Sequence, residues 1–230
     1  MPVALPEELV QPLSGETTPI FLATLDANGR PNVVPVISIT PYETGALVFG
    51  EFLMNKTRKN LLVDEHVGVT ALAQAADGAF HGWSIRGTFL GFETTGPRVD
   101  MINALPMLRY NAYTGIRAAG TIRVESVSER RVLGKLAVLA NFLRVSAAAR
   151  LLGGARPAHR CMPARVEEKF QRMSAVRAVA FRDKDGFPHT FPAMACVPAG
   201  PNRLAIADPF FNAAAPAIAL GAELAVSIIT

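Results

Sequence analysis

The strongest constraint on the fold is that the chain repeats itself. A shift of 157 residues (183 minus 26), read without a gap, brings Asp26 onto Asp183, Gly29 onto Gly186, Pro31 onto Pro188 and Pro35 onto Pro192. Further on, Pro41 meets Pro198, Leu47 meets Leu204, Asn55 meets Asn212 and Val69 meets Val226; upstream, Ala23 meets Ala180. These identities fall at turns and strand starts, where backbone geometry dictates residue type. A Gly-Pro-Pro match at fixed offsets from a given aspartate arises by chance on the order of a few times in ten thousand. Apolar character follows the same shift, with Leu47-Val48-Phe49 against Leu204-Ala205-Ile206. The chain must therefore build one supersecondary unit twice.

The unit reads as strands around one helix. Ile20 to Leu25 is apolar and β-prone, and Asp26-Ala27-Asn28-Gly29 reads as a turn. Pro31 to Thr40 predicts the second strand of a hairpin, with Pro35 marking an edge or a bulge because proline cannot donate to a ladder. A short third strand covers Ala46 to Phe49. Asn55 is placed to cap a helix running to about Val63. Val67 to Leu72, Trp83 to Glu93 and Gly120 to Val127 complete six strands, with a helix from Pro97 to about Ile116 between the last two. A long helix is expected over Glu129 to Leu152, ended by Gly153-Gly154, and a short one over Val166 to Met173. The expected organisation is a barrel unit over 1–130, a helical linker over 131–175 and a partial second unit over 176–230. That second unit reaches Thr230 just after its fourth strand, and the sequence leaves open a half unit or a piece of a longer chain.

Composition narrows the function classes. Half of the 230 residues are apolar and 18% are charged, which argues for a packed core. No apolar run of about 18 residues lacks charge, so no membrane partner is expected. Glu7 and Glu8 stand where a signal peptide would be basic, and a cytoplasmic setting is the expectation. Cys161 and Cys196 form no metal-type pair, and the four histidines show no ligand spacing. The basic surplus from Arg144 to Arg172 comes without a nucleic-acid module, so it reads as a solvated face and no nucleic acid is expected.

The chemistry concentrates where the third strand gives way to the helix, in Val48-Phe49-Gly50-Glu51-Phe52-Leu53-Met54-Asn55-Lys56-Thr57. A helix start presents free N–H groups and the positive dipole end, which suits an anion. Lys56 adds a point charge and Thr57 a hydroxyl, so the stretch reads either as a monophosphate cradle or as an ordinary surface helix. In the second copy Ala213 and Ala214 stand at these positions, and both the charge and the hydroxyl are gone.

The hairpin Asp-Ala-Asn-Gly-Arg-Pro-Asn-Val-Val-Pro-Val, the strand ending Val-Phe-Gly, the helix start Met-Asn-Lys-Thr-Arg-Lys-Asn-Leu and the strand Gly-Trp-Ser-Ile-Arg-Gly occur in that order. Over about Thr18 to Val127 the chain resembles the pyridoxamine 5'-phosphate oxidase-like family of FMN-binding split barrels. The resemblance implies a mainly β fold with helices, a six-stranded antiparallel split barrel followed by helices and a partial repeat. It implies FMN at a dimer interface, in a homodimer or an intrachain pseudo-dimer. Lys56 and Thr57 would hold its phosphate with Asn55 in support. Backbone groups of Val34, Pro35 and Val36 would line the ring edge, Phe49 and Gly50 would lie beside the ring or ribityl chain, and Gly82, Trp83 and Ser84 would approach across the interface. The family's oxidases carry an arginine and a lysine on the second strand. Val34 and Ile39 stand there in this chain, so no catalytic residue carries over. The expected function is an FMN-dependent oxidoreductase acting on a small molecule, with an F420-dependent reductase or a non-catalytic flavin carrier as alternatives.

Overall fold

A computed structural model describes residues 3–15, 18–106, 115–152, 160–206 and 218–230. The first copy is one antiparallel sheet. Its strands are β1 (Ile20–Leu25), β2 (Pro31–Pro35), β3 (Thr40–Pro41), β4 (Ala46–Glu51), β5 (His66–Gln74), β6 (Phe80–Glu93), β7 (Ala118–Val127) and β8 (Arg131–Leu133). They run in the order β2-β1-β5-β6-β7-β4-β3, with β8 added against β6. β2 and β3 stand at opposite ends of that order but are joined by only residues 36–39. One stretch of chain thus pairs first with β1 and then with β4, which draws the two ends of the sheet together into a barrel. The Val36 N–H donates to Ile20 O and the Gly50 N–H to Ser38 Oγ, holding the chain across the break.

Around this sheet lie α1 (Glu7–Ser14), α2 (Asn55–Leu61) and α3 (Pro97–Asn103). Leu9 and Leu13 of α1 enter the barrel core beside Leu22, Leu47, Phe49, Val69, Trp83, Ile85 and Ile122. Two bulges bend the long β6, between Arg86 and Gly87 and between Phe89 and Gly91, so that it can serve both β5 and β7.

After β8 come α4 (Lys135–Leu152) and α5 (Ala164–Gln171), and then the second copy: β9 (Val176–Arg182), β10 (Pro188–Pro192), β11 (Cys196–Pro198), β12 (Leu204–Ile206) and β13 (Leu224–Ile229). The repeat holds in register. Phe21 pairs Pro35 and Leu25 pairs Pro31; 157 residues on, Ala178 pairs Pro192 and Arg182 pairs Pro188. Ile20 pairs Ala71, and Arg177 pairs Ile228. Both turns are built alike. Asp26 Oδ1 accepts the N–H groups of Asn28 and Arg30, and Asp183 Oδ1 accepts those of Asp185 and Phe187. Gly29 and Gly186 follow with φ of 73° and 88°, the left-handed geometry that fixes glycine there.

The copies face each other, and their contacts are reciprocal. β10 meets β5 as β2 meets β13, and β10 meets β1 as β2 meets β9. His66 lies 4.2 Å from Phe187 between ring centroids, and at the shifted positions Glu223 pairs Arg30 at 3.3 Å. Phe21, Ala23 and Val33 of the first copy pack with Ala178 and Ala180 of the second.

Four expectations need correction. The strand from Pro31 to Thr40 is two strands, because its ladder partner changes after Pro35. The helix from Pro97 ends at Asn103, and Pro106 disfavours a helical residue before it; of the rest of that expectation, 104–106 and 115–116 are not α-helical and 107–114 lies outside the described residues. The long helix does not begin at Glu129. Residues 131–133 pair with β6, and α4 starts only after Gly134. The short helix lies two residues earlier than expected, opened by Pro163. In addition, α1 was not among the expected elements. Cys161 and Cys196 are both free, and no group of three or more metal-ligating side chains occurs among the described residues.

Candidate functional site

α2 begins where β4 leaves the sheet. Its N-cap is Met54, and no side chain caps it, so Asn55 is the first helical residue rather than the cap. The helix turns Thr57, Asn60 and Leu61 inward and leaves Asn55, Lys56 and Lys59 exposed. Two hydrogen bonds fasten it to the first hairpin. Asn60 Nδ2 donates to Thr24 Oγ1 at 3.0 Å, and Asn32 Nδ2 donates to Thr57 Oγ1 at 3.3 Å. Thr24 and Asn32 are direct cross-strand partners, so one polar rung of the ladder supports the helix start.

The charges here are sorted. Arg58 bonds to Glu51, whose carboxylate is buried, and its guanidinium lies 4.6 Å from the centroid of Phe92. That cation is spent on the fold. Lys56 forms no ion pair among the described residues, and its charge is felt by Asp26 of the β1–β2 turn. The Asp26 carboxyl is held below its usual range, first by the Arg30 N–H, which outweighs the opposing loss of solvent, and then by the Asn28 N–H and the charges of Arg30 and Lys56. The exposed donors left over are the Lys56 ammonium and the Asn55 amide; the Thr57 hydroxyl lies beneath them, buried at 1% exposure, its oxygen accepting from Asn32. This set fits a phosphate monoester.

The ring-end residues sit differently. Phe49 is fully buried, against Phe89 and Phe92. A methyl on Gly50 would meet Ile116 at 2.7 Å and Ile102 at 2.9 Å, so protein fills the space beside it. Trp83 is a barrel-core residue at 2% exposure, and its indole N–H is buried with no acceptor. Gly82 is buried, paired with Leu72 and Arg131. The Ser84 hydroxyl donates to Thr190 O of the second copy at 2.9 Å. Val34 is half-buried in the β1–β2 ladder, the Val36 N–H is taken by Ile20, and Pro35 is exposed but has no N–H. Asn55, Lys56 and Thr57 therefore gather. Gly82, Trp83 and Ser84 stand toward the other end of β1, since Ser84 pairs Thr70 and Thr70 pairs Phe21, whereas Thr57 sits at Asn32 and Thr24. Three residues along a strand separate the two groups by about 10 Å, before sideways displacement is counted.

Thr24 and Asn32, the supporting rung, were absent from the expected site. The hairpin showed only their strand, and their partners on α2 are set by tertiary packing. In the second copy the same two positions hold Phe181 and His189, whose rings lie 5.2 Å apart. Burial pushes the His189 imidazole down to about 4, helped by the Arg86 cation and opposed by Asp183. The counterparts of Lys56 and Thr57, Ala213 and Ala214, lie outside the described residues.

Comparison with known proteins bears on the first copy. A family described as pyridoxamine 5'-phosphate oxidase matches residues 5–140. An uncharacterized protein of Methanocaldococcus jannaschii, MJ0282, is 37% identical over 70 residues, covering 30% of this chain. The chain spans about half, 46%, of the length of that curated relative. Among solved structures, an FMN-binding protein of Syntrophomonas wolfei has a TM-score of 0.47 at 14% identity, covering 53% of this chain and 85% of that one. HupZ from Group A Streptococcus has a TM-score of 0.44 at 20% identity, covering 54% and 91%. An F420 reductase has a TM-score of 0.43 at 17% identity, covering 54% and 98%.

Proposed function

This chain belongs to the pyridoxamine 5'-phosphate oxidase family, and on that premise we propose that it binds FMN through the start of α2 and serves as a flavin-dependent oxidoreductase on a small molecule. The single observation that carries the reading is Lys56: an exposed ammonium with no ion pair among the described residues, beside the Thr57 hydroxyl, on a helix start tied to the β1–β2 hairpin. Lys56 in the first turn opposes the helix dipole and has no carboxylate to answer it among the described residues, while Arg58 and Lys59 fall in the last turn and Arg58 is paired with Glu51. An anion would relieve the charge of Lys56.

In this proposal Lys56 supplies charge to the phosphate, Thr57 donates its hydroxyl proton, and Asn55 adds an amide. Asn32 and Thr24 orient them from below. A bound flavin would supply hydride or electron transfer. The chain's own part is binding, orientation and exclusion of water, and no acid or base is assigned to it. F420 is the second cofactor reading, favoured by the same phosphate-type donors. The reciprocal contacts support taking the two copies as a pseudo-dimer within one chain; sedimentation of the purified chain is then expected to give one chain per particle.

Reconstitution tests the reading. The purified chain mixed with FMN or with F420 should quench the fluorescence of one of them saturably, and NADH or NADPH should reduce the bound cofactor with steady turnover on an acceptor. Saturable binding without turnover would leave a carrier in place of an enzyme. Absence of binding by both cofactors would remove the proposal.

A further inference from the structure

α4 is apolar on both sides. Val138, Val145 and Ala149 are buried, with Val138 packed against Leu72, Leu133 and Met194, and Val145 and Ala149 against Ala195, Val197 and Ala199. The opposite side is wet. Leu136 is 81% exposed, Leu143 58% and Leu151 89%. At about 100° per residue, Leu136, Ala140, Leu143, Ala147 and Leu151 form one stripe along the middle of the exposed face. The same turn places Arg150 on one flank of the stripe and Arg144 on the other, while Lys135 lies about 120° from its centre with its side chain over Gly78 between β5 and β6. α4 has no acidic residue, and neither arginine pairs with a carboxylate among the described residues.

A surface helix ordinarily turns charged and polar residues to water, and a continuous apolar stripe there marks an interaction site. The stripe offers no span, since no helix among the described residues is long and apolar enough to cross a membrane. Charge selects the occupant. Two α4 stripes pressed together would set arginines of one sign beside each other, with no carboxylate on the helix to answer them. A sheet of anionic headgroups answers both arginines at once.

We propose that α4 docks this protein on an anionic phospholipid surface. The stripe sinks into the boundary between headgroups and acyl chains, and Arg144 and Arg150 on its two flanks reach outward to the headgroups. The helix lies in the plane of the surface, and the barrel rests above it.

Flotation of the full chain with vesicles tests this. Binding is expected to vesicles of phosphatidylcholine mixed with phosphatidylglycerol, to be absent with phosphatidylcholine alone, and to weaken with added salt. Arg144→Gln and Arg150→Gln should each lower the partition coefficient about fivefold. Leu136→Asn combined with Leu143→Asn should lower it by more than about tenfold, with the circular dichroism and thermal midpoint unchanged because both leucines are exposed. Equal binding to both vesicle types, or flotation with neither, would overturn the proposal. So would a dimer in sedimentation that Leu143→Asn splits, because a second copy would then cover the stripe.

Discussion

The two copies share a backbone and differ in what stands beside it. Both hairpins are held by an aspartate that accepts two turn N–H groups, and both pair their strands in one register. Beside the first, Thr24 and Asn32 reach Asn60 and Thr57 of α2. Beside the second, Phe181 and His189 pack with Phe191. The turn residues cannot drift, since only certain side chains and a glycine satisfy that geometry. The rung can drift, but only as a set. A buried threonine whose partner is gone loses its hydrogen bond, and an aromatic residue fills the same place without needing one. The loss of Lys56 and Thr57 at Ala213 and Ala214 thus comes with the loss of the polar floor beneath them.

That comparison breaks most sharply at the interface between the copies. Gly68 faces the second copy so closely that a Cβ would stand 2.0 Å from Pro188 O, a backbone atom that cannot swing away. Its counterpart, Ala225, already carries a Cβ. Gly68→Val is expected to cost more than about 3 kcal/mol in urea unfolding, whereas Ala225→Gly should cost under about 1 kcal/mol. Equal effects would mean that the copies do not approach as described.

The ion pairs between the copies come next. Arg86 bonds to Asp183, whose side chain is wholly buried, and to Asp185 at 3.2 Å. Arg86→Ala leaves that buried carboxylate without its cation, and a loss of about 2–3 kcal/mol is expected. Arg30 and Glu223 are 61% and 60% exposed, so Arg30→Ala should change stability by less than about 1 kcal/mol.

The smallest expected difference is a pH dependence. His189 is held neutral in the fold down to about 4. Between its ordinary value and that one the unfolded chain binds the proton and the native chain does not, so stability rises with pH across this window. Falling from pH 6.5 to 4 should remove about 1–3 kcal/mol, at about 1.4 kcal/mol per unit with allowance for a half-buried ring. Placing the first copy's residue there, His189→Asn, should flatten the curve in that window. Urea midpoints across pH for both proteins measure it, and parallel curves would assign the dependence to other groups.

Much of this architecture was legible because turn chemistry is local. Asp26, Gly29 and Pro31 announce a hairpin, and their recurrence at 183, 186 and 188 announces the second. The missed features are those that tertiary contacts decide. Residues 131–133 have helical neighbours, yet β6 offers them an open edge. α1 holds a proline at Pro12 and lacks a side-chain cap, so burial of Leu9 and Leu13 in the barrel supports it rather than its own sequence. At the site, Asn55, Lys56 and Thr57 were readable from one short stretch. Thr24 and Asn32 were not, because they join it only through the fold. Glycine and tryptophan types placed Gly50 and Trp83 beside a ligand by resemblance, and side-chain direction turns both toward protein interior.

The central claim is that one fold unit occurs twice and only the Lys56 copy binds. Titration calorimetry with FMN tests it most directly, on the unaltered chain and on Lys56→Ala. The expected result is one FMN per chain, with affinity reduced at least about tenfold by the substitution, the worth of one charged hydrogen bond. Two FMN per chain, or undiminished affinity in Lys56→Ala, would contradict it.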